Sequence, residues 1–527
     1  MLTVCTVFLS VSVGFVRVSA AQSPEPVVCV EGVGMAIYVD KNDPNSGNIT
    51  QNPDILRTMI PEMLSQLAKP LLEAYLKGNF DEYCDKVMEL YSPYFEPLAL
   101  DEKGEASNGS GNDCNQRMPK HDAYNASAGG YQLKNYYFVY DWRLDPFETA
   151  KQLHTYIEKV KEVTGRDKVN VSCRCYGANV VLAYVAEYGS DSINKLIMYC
   201  SGVYGFDYCG ALFSGRVAVD SNSLTRFVNV NFSSDDDETQ KLIKSTIQLA
   251  NSTFMLNWGV KEVLDFYKKV YENLTPRMMR VSYGSFPSYW SMVTVEYYDD
   301  AIELNFGAER EKYAEMIRKC DKYHNKVARR VDEILLGMRD NGVEIYFIAK
   351  YGFQLIPICK NSEYQSDGDV LLYSSSCGAT NTELSKKFSK KYVEDAKKKG
   401  TDKYISPDLC IDASTGLFRD HTWFVKDVQH SVMPDAVDNT LFVKIFNSPS
   451  YLTVFDDPDY PQYFLYDKND KTLKVLTTEN CVTDEEKKWE SNVGESSEFL
   501  LKKFFDLINK IIKYIRDFIE SIISSVK

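Results

Sequence analysis

Three side chains far apart in the chain have the chemistry for nucleophilic acyl transfer: Cys175, Asp367 and His430. A thiol can attack a carbonyl and carry the acyl group. An imidazole takes the thiol's proton and returns it to the leaving group, while a carboxylate holds the imidazole in the right tautomer. Cys175 sits in the knot Cys173-Arg174-Cys175-Tyr176-Gly177. An alternating apolar run at 169–171 precedes it, and Val180, Val181, Ala183, Tyr184 and Val185 follow at helical spacing. Strand, sharp turn and helix are the setting of a nucleophile elbow, usually written Gly-x-Ser-x-Gly. Here Cys173 stands for the first Gly and Cys175 for the Ser, and Gly177 is kept. The nucleophile of such a turn is strained, so the residues two before and two after it must be small. A helix N-terminus and the adjacent Arg174 both favour a thiolate at Cys175. The same stretch also fits an inert cysteine buried in a strand-to-helix turn, and the rest of the chain has to separate the two readings.

The acid must lie on a loop leaving the sheet. The apolar run 342–349 reads as a strand, and Ser366-Asp367-Gly368-Asp369-Val370 follows it. Asp367 is the preferred acid and Asp369 its rival. The base is found by elimination among five histidines. His154 lies inside a helical pattern, His324 in another, and His121 in a polar excursion. His421 opens an apparent strand and His430 ends it, late in the chain.

The elements that must position these groups follow in order. Residues 26–30 read as a first strand running into Glu31-Gly32-Val33-Gly34-Met35, where Gly32 and Gly34 let backbone N–H groups face inward. Residues 54–94 are helical, with breaks at Pro61 and Gly78, and 101–130 form a long polar surface excursion. A strand at 136–140, a helix at 147–164, the elbow strand and its helix make a βαβα unit, which implies a parallel sheet. Another strand follows at 195–200. From 216 to 341 the pattern is helical, with segments at 241–257, 260–274 and 309–338, the last being the longest. A hairpin at 463–466 and 472–475 comes after His430.

At 527 residues, with 44% apolar residues, the chain can bury a large core, and its net charge of −14 argues against a nucleic-acid partner. Thirteen cysteines lack Cys-x-x-Cys spacing and no His-x-x-x-His occurs, so no metal site is expected and no cofactor is implied. Residues 1–22 are apolar and end in small residues, as a signal peptide does, which points to an extracellular or cell-surface protein; a membrane anchor is the alternative. Residues 498–527 form an amphipathic pattern with Phe504, Phe505, Ile508, Ile512 and Phe518 on one face and Lys502, Lys510, Lys513 and Arg516 on the other. Such a basic helix suits a membrane surface, or docks on the protein or a second copy.

In order and context these pieces resemble α/β-hydrolase lipases, and among them the lecithin:cholesterol acyltransferase-like group. The matching residues are the first strand with Gly32 and Gly34, Tyr140-Asp141-Trp142-Arg143 before a helix, the run into the elbow, the Asp-Gly-x-Val turn at Asp367 and the late His430. The resemblance implies an α/β fold with a mostly parallel central sheet, helices on both faces and a helical cap. It implies a core at 23–215 and 342–445 with a cap at 216–341 between; beyond it the residues read as a small β extension at 446–480, a linker at 481–497 and the terminal helix. It implies acyl hydrolysis or acyl transfer on a lipid-like or other acyl substrate, of lipase, esterase or thioesterase type. The acyl-enzyme would form on Cys175, with an oxyanion hole from the backbone N–H groups of Val33 and Tyr176. The departure, Cys for Ser, leaves as alternative a catalytically inactive relative that binds or serves at a surface.

Overall fold

A computed structural model describes residues 25–50, 59–120, 136–231, 255–384 and 386–482. The expected signal peptide, the terminal amphipathic helix and His121 lie outside these residues.

The chain builds an eight-stranded sheet from β1 (Val27–Val30), β2 (Tyr136–Phe138), β3 (Val169–Arg174), β4 (Ile193–Tyr199), β5 (Glu344–Tyr351), β8 (Thr422–Lys426), β9 (Tyr463–Asp467) and β10 (Thr472–Val475). Two two-residue strands, β6 (Thr380–Asn381) and β7 (Ile411–Asp412), pair separately. The order across the large sheet is β10-β9-β8-β5-β4-β3-β1-β2. Every pairing is parallel except that of β9 with β10. The fold is therefore α/β with a mostly parallel central sheet and helices. The hairpin expected as a small β extension joins the large sheet, because β9 pairs in parallel with β8.

Strands covered on both faces can be apolar throughout, and period two sorts their side chains into two cores. Val28, Val30, Val171, Cys173, Leu196, Met198, Ile345 and Phe347 face one core. Val27, Cys29, Ile197, Tyr199, Tyr346, Ile348, Trp423 and Val425 face the other, which Leu441, Phe442 and Ile445 cover. The helix Pro146–Thr164 covers the first core. Asp145 caps it by accepting from the Phe147 amide at 3.1 Å, Pro146 opens it without a missing donor, and Gly165 ends it at φ 66°. Phe147, Leu153, Ile157 and Val160 line its buried face, each burial contributing about 1.5–3 kcal/mol.

The segment expected as one long helix at 309–338 is two: Ala314–Lys326 and Val331–Asp340, with a tight turn at Ala328–Arg330. Val331, Leu335 and Met338 face the sheet core after that turn, so burial sets the break where periodicity alone ran on. Met255–Arg280 is the longest described helix and passes through Pro276. Among the described residues no helix is long and apolar enough to cross a membrane.

Candidate active site

The first three strands are wound in opposite directions about β1. β1 continues outward to β2, and the chain then returns to place β3 on the other side of β1. In open sheets of this kind ligands bind outside the carboxyl ends of the strands where the winding reverses, here β1 and β3. The Gly32 loop leaves one of these strands and Cys175 the other.

Cys175 follows β3 in the left-handed region, φ 51°, and is half-buried. A non-glycine residue held there costs about 1–3 kcal/mol and persists only where its surroundings enforce it. Two close approaches enforce it. A Cβ on Gly177 would lie 2.2 Å from Val30 O and 2.8 Å from Glu31 O, and one on Gly32 would lie 2.7 Å from Cys175 Cβ and 3.2 Å from its Sγ. Helix Gly177–Tyr188 thus starts hard against the end of β1. Cys173 is fully buried and donates its S–H to Ile197 O at 3.6 Å.

The glycine loop is braced from the segment after β2. Tyr140 donates its hydroxyl to Glu31 O, and Trp142 Nε1 donates to Met35 O at 2.9 Å. Arg143 grips Asp141 with Nε at 3.0 Å and Nη2 at 2.7 Å, and spends Nη1 on Leu98 O and Ser110 Oγ, both at 2.9 Å. The polar excursion is tied to the site's support by this buried arginine. Val33, half out of the surface, and the buried Tyr176 flank Gly32 and Cys175 respectively. Tyr176 is the N-cap of the elbow helix, where backbone N–H groups have no acceptor within the helix.

Arg174 has partners on the second core's side. Its Nε lies 3.6 Å from Glu31 Oε1, and its guanidinium covers the rings of Tyr199 and Phe442 at 5.3 and 5.6 Å. Alternation along β3 turns it to the face opposite its neighbour's.

Asp367 and His430 meet. His430 Nδ1 is 2.8 Å from Asp367 Oδ2, and the His430 amide donates to Asp367 O at 2.7 Å. The other carboxylate oxygen, Oδ1, accepts from the amides of Val370 at 2.8 Å and Asp369 at 3.1 Å. Burial works to lower the His430 pKa, but Asp367, then Cys175 and Cys200, outweigh it and hold the pKa well above its usual value. At Asp369 burial raises the carboxyl, with His430 opposing. His430 does not end a strand. β8 stops at Lys426, and His430 stands in the loop beyond.

Lys350, on β5, is the residue that sequence reasoning missed. Its buried Nζ donates to Val432 O at 2.7 Å, His430 O at 3.0 Å and Gln429 O at 3.2 Å, gathering the histidine loop around one ammonium. The other described histidines do structural work. His154 stacks on Tyr188 at 4.2 Å, His421 on Tyr451 at 3.6 Å, and His324 is buried against Tyr298 with a ring nitrogen 2.9 Å from Trp290 O.

Cys200, after β4, was missed as well. Its Sγ, one oxygen of Asp367 and one ring nitrogen of His430 all lie within 4.8 Å of one another, and all three residues are buried. Thiol, carboxylate and imidazole are zinc-type donors, and three separate loops bring them together, which linear spacing could not reveal. The carboxylate and imidazole are already bonded to each other, however, and Lys350 adds a positive charge to the Cys200 and Asp369 surroundings.

No protein-family model and no curated protein matches the chain.

Proposed function

We propose that the chain is an acyl hydrolase or acyltransferase of α/β-hydrolase type that works through Cys175, His430 and Asp367. The observation that carries this is the 2.8 Å Asp367–His430 bond on the same sheet edge as a left-handed cysteine between strand and helix. The reversal of winding at β1 and β3 supports it, as does the close packing of Gly32 on Cys175.

In this reading Nδ1 is committed to Asp367, so Nε2 is the basic nitrogen. Cys175 Sγ attacks the carbonyl carbon of an ester or thioester, and its proton passes to Nε2. The carbonyl oxygen gains the negative charge and takes the Val33 and Tyr176 N–H groups. Collapse breaks the bond to the leaving group, which takes the proton from Nε2. Water, or an acceptor alcohol, then attacks the thioester with Nε2 as base, and the thiol is restored as the acid or the new ester departs. The substrate is a lipid-like or other acyl compound, and export through residues 1–22 with surface association through 498–527 belongs to the same proposal.

The test is labelling of the full chain by an electrophilic acyl probe such as a β-lactone. Labelling at Cys175 that vanishes in Cys175→Ala supports the reading. Labelling unchanged in that variant overturns it and leaves a binding protein on this fold.

A further inference from the structure

A second thiol at the same sheet edge has no part in acyl transfer. Cys200 follows β4 as Cys175 follows β3. The Cys175 amide donates to Tyr199 O at 3.4 Å, which in a parallel ladder makes Cys200 the register neighbour of Cys175, one step beyond the Arg174–Tyr199 pair. Adjacent strands run about 4.8 Å apart, inside the span of roughly 4.4–6.8 Å between Cα atoms that a disulfide bridges. Cys200 too is left-handed, at φ 43°. Two neighbouring non-glycine residues are therefore held in this sparsely used region at one place.

The two thiols differ in access. Cys175 is half-buried and within reach of a small oxidant; Cys200 is fully buried. A base is at hand for the buried one, since Cys200 Sγ lies within 4.8 Å of a His430 ring nitrogen. An accessible thiol that is oxidised first, and a shielded thiol with a base beside it, are the two parts of a resolving pair.

We propose that Cys175 and Cys200 form a reversible oxidation site for hydroperoxides. The Cys175 sulfur attacks the terminal oxygen of the hydroperoxide: an S–O bond forms, the O–O bond breaks, and the alcohol (water, for hydrogen peroxide) departs with the thiol's proton. Sulfur is oxidised and peroxide reduced by two electrons. Cys200 then yields its proton through His430 and attacks the Cys175 sulfur. The S–S bond forms, the S–O bond breaks, and the proton leaves with the hydroxide as water. The site shares with the acyl-transfer reading the accessibility of Cys175 and the base His430, and the disulfide would block that chemistry until a dithiol reduced it.

The test uses the full chain, hydrogen peroxide near stoichiometry, alkylation of remaining thiols, and peptide mapping after trypsin. Cleavage after Arg174, Lys195 and Arg216 puts Cys175 in peptide 175–195 and Cys200 in peptide 196–216, which also holds Cys209. The expected product is these two peptides joined with the loss of two hydrogens, reversed by dithiothreitol. It persists in Cys209→Ser and is absent in Cys200→Ser, where Cys175 instead proceeds to the sulfinic acid. Wild-type peptides that alkylate fully after peroxide, or a Cys175 that over-oxidises with Cys200 still alkylated, overturn the proposal without any variant. Because the readout is mass, a chain that crosslinks but never takes an acyl probe separates this inference from the acyl-transfer reading.

Discussion

Replacing Asp367 by Asn is the sharpest test of the histidine's role, because the surrounding bonds dictate which way the amide must face. Oδ1 of Asp367 accepts two backbone N–H groups, from Val370 at 2.8 Å and Asp369 at 3.1 Å. Only an oxygen satisfies both, so the Asn oxygen stays there and its NH2 takes the place of Oδ2, facing His430 Nδ1. Two donors cannot face each other; Nδ1 must give up its hydrogen, and the ring carries it on Nε2. The nitrogen that should accept the thiol's proton is then already protonated. For a wrong tautomer in an otherwise intact triad the loss in kcat is about 10⁴-fold, or about 5 kcal/mol of barrier. The variant also removes the charge that raises the His430 pKa against the lowering effect of burial. Residual activity should therefore keep its basic form to lower pH, moving the acid limb of the profile down. The assay is kcat/KM on a short-chain p-nitrophenyl ester across pH, with circular dichroism to show an intact fold. Activity within tenfold of wild type in a folded Asp367→Asn protein, or a larger loss in Asp369→Asn, refutes the assignment.

Gly32→Ala would set a Cβ 2.7 Å from Cys175 Cβ. Displacing a nucleophile by about an ångström costs on the order of 10²-fold in rate, while Gly34→Ala, with open space around it but φ +109°, should lose stability more than kcat; equal kinetics in the two variants would count against the crowding argument. Lys350→Met leaves the carbonyls of Gln429, His430 and Val432 without their shared donor; urea titration should show a loss of at least about 2–3 kcal/mol, and an unchanged midpoint would refute the clamp. His324 gives a pH signature of opposite sign to His430. Burial lowers its pKa to about 3, with the Trp290 carbonyl opposing, so below its ordinary value of about 6.5 the unfolded chain takes a proton that the folded chain refuses. Stability should fall as pH drops from about 6.5 towards 3, with this site contributing up to about 1.4 kcal/mol per unit. A His324→Gln protein, compared by urea unfolding at pH 7 and 5, should lose part of that slope; an identical slope would assign acid sensitivity elsewhere.

How far the chain could be read without coordinates depended on how local each signal was. The βαβα run over 136–188 was legible because the sheet is parallel and buried: apolar strands, a capped helix ended by Gly165 and the elbow all lie within a few dozen residues. The hairpin strands were legible too, but not their pairing with β8, which is a contact between segments far apart in sequence. The split of 309–338 escaped because a helical repeat continues across Ala328–Arg330. Lys350 and Cys200 escaped for a different reason. Each sits in or just past an apolar strand, where a lysine reads as an edge residue and a cysteine as core, and only the folded chain brings three carbonyls to one and an imidazole to the other.

The departure from Gly-x-Ser-x-Gly is best judged by what each position of the turn touches. At Gly177 an added Cβ would fall 2.2 Å from a backbone oxygen of β1, and backbone paired on both sides, with β2 and β3, cannot step aside, so glycine there is obligatory. Two residues before the nucleophile, Cys173 lies within β3, its side chain fully buried and its S–H aimed at Ile197 O on the next strand. That position asks for a small side chain that packs, and a thiol meets it. The nucleophile itself is constrained by φ 51° and by Gly32 against its Cβ and Sγ, neither of which distinguishes a hydroxymethyl from a thiomethyl group except by size. The frame therefore accepts Cys in place of Ser without repacking, and Cys175→Ser should fold with a denaturation midpoint close to that of wild type. A large drop in that midpoint would mean that the sulfur's bulk, not the turn, holds the elbow in its left-handed state.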